Sequence, residues 1–303
     1  MSRGVVTIAT GSMRYYKMAR TLVHSLRLTN PTLKVAVVTD AANPYTSEFD
    51  DVVILEKPNK SYLDKLDLLV QCPYDENIFI DADSIVYGDI GLYFDEFQSG
   101  TDFSCFGNCL PLDSDKGGYF TARGVGKWKD RIHYITNLHG GLYYIRRGEF
   151  CRKLHSICME IRDHYSEYEF VIFKKPADEP ILALACAIMN CTILEKLHDI
   201  CFLPVVDSRS IRIGKNVRYT EKGIEYEAPI LHFSNHNTER AFYKIERDKV
   251  EWRLRNTTQV PLGIVIRYWR YLWQDNFGTV QRAKCTIYEH APEILKKTWH
   301  LMK

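Results

Sequence analysis

The sequence predicts an α/β protein with a mixed, mostly parallel central sheet flanked by helices and a helical extension at the C-terminus. Three observations point to it. Apolar runs of strand length alternate with amphipathic runs of helix length through the first hundred residues. Apolar residues make up 46% and charged residues 26% of the 303 positions, ordinary globular usage that excludes disordered, collagen-like and coiled-coil chains. Composition then shifts near residue 250. Residues 251–303 carry nine Lys or Arg against four Asp or Glu, a net of +5, which leaves −3 in residues 1–250. The expected division is therefore a main domain over 1–250 and a basic, aromatic helical extension over 251–303.

The elements follow in order. Val5–Ala9 is a short apolar run, as a strand covered on both faces has. Ser12 caps a helix on which Tyr15, Met18, Ala19, Leu22, Val23 and Leu26 share a face, and Asn30-Pro31 stops it. Val35–Thr39 and Val52–Leu55 read as strands. A helix carrying Leu63, Leu66, Leu69 and Val70 is expected before Pro73. Strands are next expected at Asn77–Ile80, Ser84–Tyr87, Asp102–Phe106 and Leu142–Arg146, with a Gly-rich excursion over 107–130. Helices at Glu149–Tyr165 and Glu179–Met189 and a strand at Ile230–Phe233 complete the domain. In such sheets ligands sit beyond the carboxyl ends of the strands, so Ala9-Thr10-Gly11 and Asp81-Ala82-Asp83 are expected at one edge.

Charge and length exclude several classes of partner and place. A net charge of +2 gives no field for nucleic acid. The longest notable charge-free run, Pro180–Leu194, is 15 residues, short of the roughly 20 a spanning helix needs. Met1-Ser2-Arg3-Gly4 runs straight into a β-like segment with no leader pattern, and nine cysteines at irregular spacing read as reduced, buried thiols. The expected location is cytoplasmic, with residues 251–303 as a peripheral contact to a membrane surface. On the expected helix from Leu262, the residues Leu262, Ile266, Trp269 and Trp273 share a face beside Arg267 and Arg270, an interfacial pattern; packing on the main domain is the competing reading. Asn59-Lys60-Ser61 matches a glycosylation acceptor pattern, read here as a chance match.

Asp81-Ala82-Asp83 is the sharpest chemical feature. Carboxylates at i and i+2 of an extended chain project to one side. Like charges so close are unfavourable unless a cation neutralises them, so the pattern suits a divalent-metal clamp, although an acidic strand end in water gives the same triplet. His232, in the apolar run Ile230–Phe233, is a core histidine or a third ligand. Two carboxylates and an imidazole suit Mn²⁺ or Mg²⁺ better than Zn²⁺.

Taken in order, these features resemble glycosyltransferase family 8, the glycogenin-type and bacterial lipopolysaccharide glucosyl- and galactosyltransferases of GT-A fold. The residues that carry the resemblance span roughly 4–245: Ala9-Thr10 ahead of a helix bearing Tyr15 and Tyr16; Lys65-Leu66; Ile80–Val86 with its Asp-Ala-Asp core; His139-Gly140-Gly141-Leu142, where the family has Asn-x-Gly before a strand; Asp178-Glu179-Pro180, where it has Asp-Gln; and Leu231-His232-Phe233. The resemblance implies a retaining hexosyltransferase using a UDP-sugar and Mn²⁺ or Mg²⁺, with a glycan, glycolipid or protein acceptor. It implies metal ligation by Asp81, Asp83 and His232. Donor contacts are implied at Ala9, Thr10, Gly11, Tyr15, Lys65, Asp81, Ala82, His139, Gly140 and Gly141. Asp178 and Glu179 are implied at the reacting sugar. The family's Gly and Lys after the His-Phe pair are missing here. Stabilisation of the leaving group then falls to a substitute such as His236 or Arg240. Two alternatives stand beside this reading: an inverting GT-A transferase or nucleotidyltransferase, and a catalytically silent donor-binding or membrane-associated scaffold. Lys116, Arg123, Lys127 and Lys129 of the Gly-rich stretch are further candidates to hold an anionic substrate.

Overall fold

A computed structural model describes residues 1–114, 118–202 and 212–255, together with Gly263, Ile266, Arg267, Trp269, Arg270 and Trp273 further on. Its contacts divide the chain into two units, Met1–Ser234 and Asn235–Lys303.

In the first unit β1 (Arg3–Ala9) leads to α1 (Met13–Thr29), then β2 (Lys34–Thr39) and β3 (Asp51–Ile54). The Ser12 hydroxyl accepts from the Arg14 N–H at the start of α1. At its end, the Asn30 N–H returns to the Leu26 carbonyl. The segment expected to form one helix is a 3-10 helix over Tyr62–Asp67 followed by a single α turn, α2 (Leu68–Gln71). The spacing explains this. Leu63, Leu66 and Leu69 recur every third residue, which a three-residue turn places on one line. Then come β4 (Glu76–Ile80), β5 (Ser84–Val86), α3 (Leu92–Gln98), β6 (Phe103–Leu110) and β7 (Ile135–Arg146). α4 (Glu149–Asp163) and α5 (Asp178–Met189) are followed by the short strands β8 (Thr192–Leu194) and β9 (Ile200–Phe202), the hairpin β10 (Val217–Glu221) and β11 (Ile224–Ala228), and β12 (Ile230–His232).

Among the described residues the main sheet has seven strands in the order β3-β2-β1-β4-β7-β6-β8. β3, β2, β1 and β4 are parallel, β7 runs against both β4 and β6, and β8 is parallel to β6. The expected mixed, mostly parallel architecture is therefore present. β4 is buried throughout, as befits a central strand covered on both faces. One face packs under α4 and α5. The buried line of α4 is Cys151, Leu154, Cys158 and Ile161. α5 is apolar nearly all round and accordingly buried all round. It ends with Asn190 in the left-handed region and the Cys191 N–H on the Cys186 carbonyl.

The Gly-rich excursion is better packed than its composition suggests: Phe120, Val125 and Trp128 lie in the core, and Phe120 bridges to Phe170. Lys127 pairs with Glu160 of α4. Lys116 lies outside the described residues. The described cysteines are free thiols and buried, except Cys109. It is exposed because β6 runs out past the core in its last three residues.

A second sheet, in the order β5-β12-β9, carries His232. α1 supplies an acceptor to the edge strand β5: the Val86 N–H donates to the Ser25 hydroxyl at 3.0 Å, and that hydroxyl donates to the Leu22 carbonyl at 2.7 Å, all buried. In the second unit α6 (Ala241–Leu254) is helical, as are the described positions from 263 to 273; Ile266, Trp269 and Trp273 are more than half exposed. Leu262 lies outside the described residues. No helix among the described residues is long and apolar enough to cross a membrane.

Ser25→Ala leaves the Val86 N–H buried without its acceptor. The expected loss in urea denaturation is about 1–3 kcal/mol; an unchanged unfolding midpoint contradicts the role given to this hydroxyl.

Candidate metal and donor site

Strand register builds the site. Val6 lies opposite Phe79, which brings the ends of β1 and β4 to one edge of the sheet. On the other side of β4, Ile80 lies opposite Leu142, and the Asp81 N–H donates to the Gly141 carbonyl at 3.0 Å. The chain does not stay extended through Asp81-Ala82-Asp83. It turns, with the Ser84 N–H on the Asp81 carbonyl at 3.0 Å, and the turn rather than strand alternation gathers the two carboxylates. β12 lies antiparallel to β5 with His232 opposite Ser84, and the Phe233 N–H closes on the Asp83 carbonyl at 3.0 Å. His232 Nε2 consequently stands 2.9 Å from Asp83 Oδ1 and 3.9 Å from Asp81 Oδ2. Asp81, Asp83 and His232 each offer a ligand atom within 4.8 Å of the others.

Cations already inside the protein answer this charge. Lys65 Nζ donates to Asp81 Oδ2 at 2.8 Å and to the Gly140 carbonyl at 3.4 Å, and lies 3.4 Å from Asp178 Oδ2. Burial opposes the ammonium, but Asp178 and Asp81 outweigh it and hold the Lys65 pKa well above its usual value. Burial would lower the His232 pKa too, and Asp83 outweighs it in the upward direction. Burial raises the carboxyl of Asp81, with Asp83 adding to it and Lys65 opposing it.

Asp178 and Glu179 occupy the first turn of α5, where the helix dipole favours carboxylates. Asp178 Oδ2 is buried and accepts no hydrogen bond among the described residues. Burial and then Asp178 raise the Glu179 pKa. Its side chain lies on Gly140, where a Cβ would come 2.1 Å from Glu179 Oε1. Tyr119, which the sequence reading passed over, meets Glu179 with its hydroxyl and donates to the Leu138 carbonyl at 3.3 Å.

His139, Gly140 and Gly141 lie within β7, not before a strand. The glycine pair hid this, because glycine inside a strand marks a bulge or a close approach. The β6–β7 register slips here, and a Cβ on Gly141 would meet His139 and His232. The Gly141 N–H donates to His139 Nδ1 at 3.0 Å, which leaves Nε2 as the protonated nitrogen of a neutral ring. Burial, then the charges of His232 and Lys65, push the His139 pKa down to about 3.

A cavity of about 290 Å³ opens beside the carboxylates, lined by Thr10, Tyr15, Lys65, Asp81, Ala82 and Asp83 together with Ile8, Met18, Lys60, Ser61 and Tyr62. Ala9, the last residue of β1, is buried. Gly11 donates its N–H to Asp40 at 3.2 Å and has φ +76°. His236 falls on a 3-10 turn of the second unit, and its side chain lies outside the described ones. The donor set of two carboxylates and an imidazole fits Mn²⁺ or Mg²⁺.

No protein-family model matches the chain, and no curated protein matches its sequence. Solved structures do. An active-site mutant of the protein LgtC, with glutamate in place of a glutamine, is 12% identical with a TM-score of 0.50, covering 87% of this chain and 99% of the other. The galactosyltransferase LgtC in complex with donor and acceptor sugar analogs is 11% identical over the same shares, with a TM-score of 0.49. The glycosyltransferase GlyE of Streptococcus pneumoniae TIGR4 is 15% identical over 66% of this chain and 47% of its own, with a TM-score of 0.42. The likeness to the LgtC mutant is one of fold, and the chain shares the GT-A architecture.

A histidine that is neutral when folded and basic when unfolded weakens the protein in acid. Between about pH 6.5 and 3 the unfolded chain holds a proton at His139 that the folded chain lacks, so stability falls as pH falls, by up to ~1.4 kcal/mol per unit from this residue. Urea denaturation at pH 7.5, 5.5 and 4.5 should show a shallower acid decline in His139→Asn than in the parent. Equal declines contradict the buried, neutral assignment.

Proposed function

We propose that the protein is a glycosyltransferase of the family 8 type, moving a hexose from a UDP-sugar to an acceptor hydroxyl with retention at the anomeric carbon. The observation that carries this reading is the convergence of Asp81, Asp83 and His232, from segments about 150 residues apart in sequence, beside a cavity at the carboxyl ends of the strands. In this reading those three hold Mn²⁺ or Mg²⁺, which when bound neutralises the diphosphate and charge growing on the leaving group.

The chain's own groups do the rest. Lys65 adds a fixed positive charge beside the diphosphate. Thr10, Gly11 and Tyr15 frame the nucleoside. Asp178, its Oδ2 without a hydrogen-bond donor among the described residues, faces positive charge developing at the anomeric carbon or takes donor hydroxyls, with Glu179 beside it. Neutral His139, a donor through Nε2, stands where the family's asparagine contacts the donor. In the second unit the basic extension 251–303 is read as a contact to an anionic membrane surface, supported by its net +5 charge and the exposure of Ile266, Trp269 and Trp273. The acceptor is a glycan, glycolipid or protein, and the location cytoplasmic.

Titration calorimetry tests the core of this. UDP should bind in the presence of Mn²⁺, weaken at least tenfold when the metal is chelated, and fail to bind Asp83→Ala with Mn²⁺; metal-independent binding, or an unaffected variant, rejects the clamp. A panel of UDP-sugars followed by NMR should show metal-dependent transfer with the donor's anomeric configuration kept. An inverted product assigns the protein to the inverting class, and binding without turnover to the silent one. Flotation with vesicles should recover the full chain on anionic but not neutral lipid, and recovery on neither removes the membrane reading.

A further inference from the structure

One wall of the cavity, Lys60–Tyr62, has no part in the reading above. It is rigidly framed. Asp64 is almost fully buried and accepts four hydrogen bonds. Its Oδ1 takes the Asn59 N–H at 2.6 Å and Asn59 Nδ2 at 3.1 Å, and its Oδ2 takes the Lys60 N–H at 2.9 Å and the Thr10 hydroxyl at 2.7 Å. Thr10 directly follows β1, so a single carboxylate ties the wall to the end of the sheet. Lys60, with φ +55°, packs so closely on Gly11 that a Cβ there would lie 2.9 Å from its own. Its ammonium lies 3.6 Å from Asp40 at the end of β2. The Ser61 hydroxyl accepts the Leu63 N–H at 3.3 Å and starts the 3-10 helix, whose first residue is Tyr62.

This frame ends in a ring that the core does not use. Tyr62 is 64% exposed, yet it lines the cavity with Tyr15, Ile8 and Met18. The two phenol rings line the same cavity. The same cavity holds aromatic and aliphatic surface together with Lys65 and the Asp81 and Asp83 carboxylates. Such a lining suits a ligand that joins a flat, weakly polar ring to an anionic group bound with a metal, which is the composition of a nucleoside diphosphate.

We infer that Tyr62 is a binding residue for the nucleoside base, gripping it together with Tyr15, and that Asp64 is the positioning residue that holds Tyr62 at the cavity. This rests on the nucleotide reading of the site and adds a residue that favours a nucleoside over bare diphosphate. Stacking against an aromatic side chain is sequence-tolerant and strong enough to measure.

Calorimetry in Mn²⁺, with UDP and with inorganic pyrophosphate as separate titrants, tests it. Tyr62→Ala should raise the Kd for UDP by about 5- to 100-fold and leave pyrophosphate within about twofold, while Tyr62→Phe stays close to the parent on both. Asp64→Asn should show the same selective loss of UDP. A loss of stability alone does not produce that split, and the exposed Tyr62 variants keep the test valid if Asp64→Asn folds poorly. The inference is overturned if Tyr62→Ala binds UDP as the parent does, or loses UDP and pyrophosphate in equal proportion. A parent that binds neither titrant overturns the nucleotide reading beneath it, so the two failures are told apart.

Discussion

The structure is organised around keeping acidic side chains together in a place with little water. Asp81, Asp83 and Asp178 lie within reach of one ammonium, that of Lys65, directly or through each other. Carboxylates so placed repel, and each loses hydration that the interior does not replace. Lys65 and His232 are what make the arrangement tolerable. Much else follows from seating these two correctly. The 3-10 helix presents Lys65. The Gly140 and Gly141 backbone comes close enough for one carbonyl to meet the Lys65 ammonium and another to take the Asp81 N–H, and β12 slides His232 against Asp83.

Shared architecture at 12% identity leaves the chemistry to be argued from side chains. The missing lysine after His232-Phe233 is the largest departure from the resembled pattern, and among the described residues of the first unit Lys65 is the lysine that pairs with both Asp81 and Asp178. Glu179 and His139, at the positions where the resembled pattern has Gln and Asn, are both perturbed by burial, in opposite senses: Glu179 is drawn toward its protonated form and His139 toward its neutral form. Both changes lower the charge that these replacements bring to the site, so the two substitutions disturb its electrostatics less than their formal charges suggest.

Much of the fold was legible because its strongest elements obey simple periods. β1, β2 and β4 are apolar runs, and α1 and α4 repeat at three and four residues. Where the reading failed, a local rule was overridden. The Leu63-Leu66-Leu69 spacing predicts a helix, and its period of three makes most of that helix a 3-10 one. The first half of β7 was lost behind Gly140 and Gly141. The hairpin β10–β11 was missed because its strands, Val217–Glu221 and Ile224–Ala228, are mostly polar and partly exposed. The Asp-Ala-Asp triplet stood out, yet the turn that gathers it did not. Nothing local joins His232 to it; only the order of motifs did. Asp64 and Tyr62 were invisible for a different reason. Asn59-Lys60-Ser61 reads as a chance match, and the four bonds that make Asp64 a keystone come from the Thr10 hydroxyl, the Asn59 side-chain amide and the Asn59 and Lys60 N–H groups, a meeting no local pattern encodes.

Asp81 directly follows a strand of the seven-stranded sheet, whereas Asp83 precedes a strand of the three-stranded one and His232 belongs to that same smaller sheet. An ion held by all three is a rivet between two layers otherwise joined there by a turn of three residues. Occupancy then registers beyond the three ligands themselves, as slower proteolysis and slower amide exchange where β5, β12 and β9 meet the main body. By mass action, a ligand at a hundred times its Kd adds about 2.7 kcal/mol to the folded state.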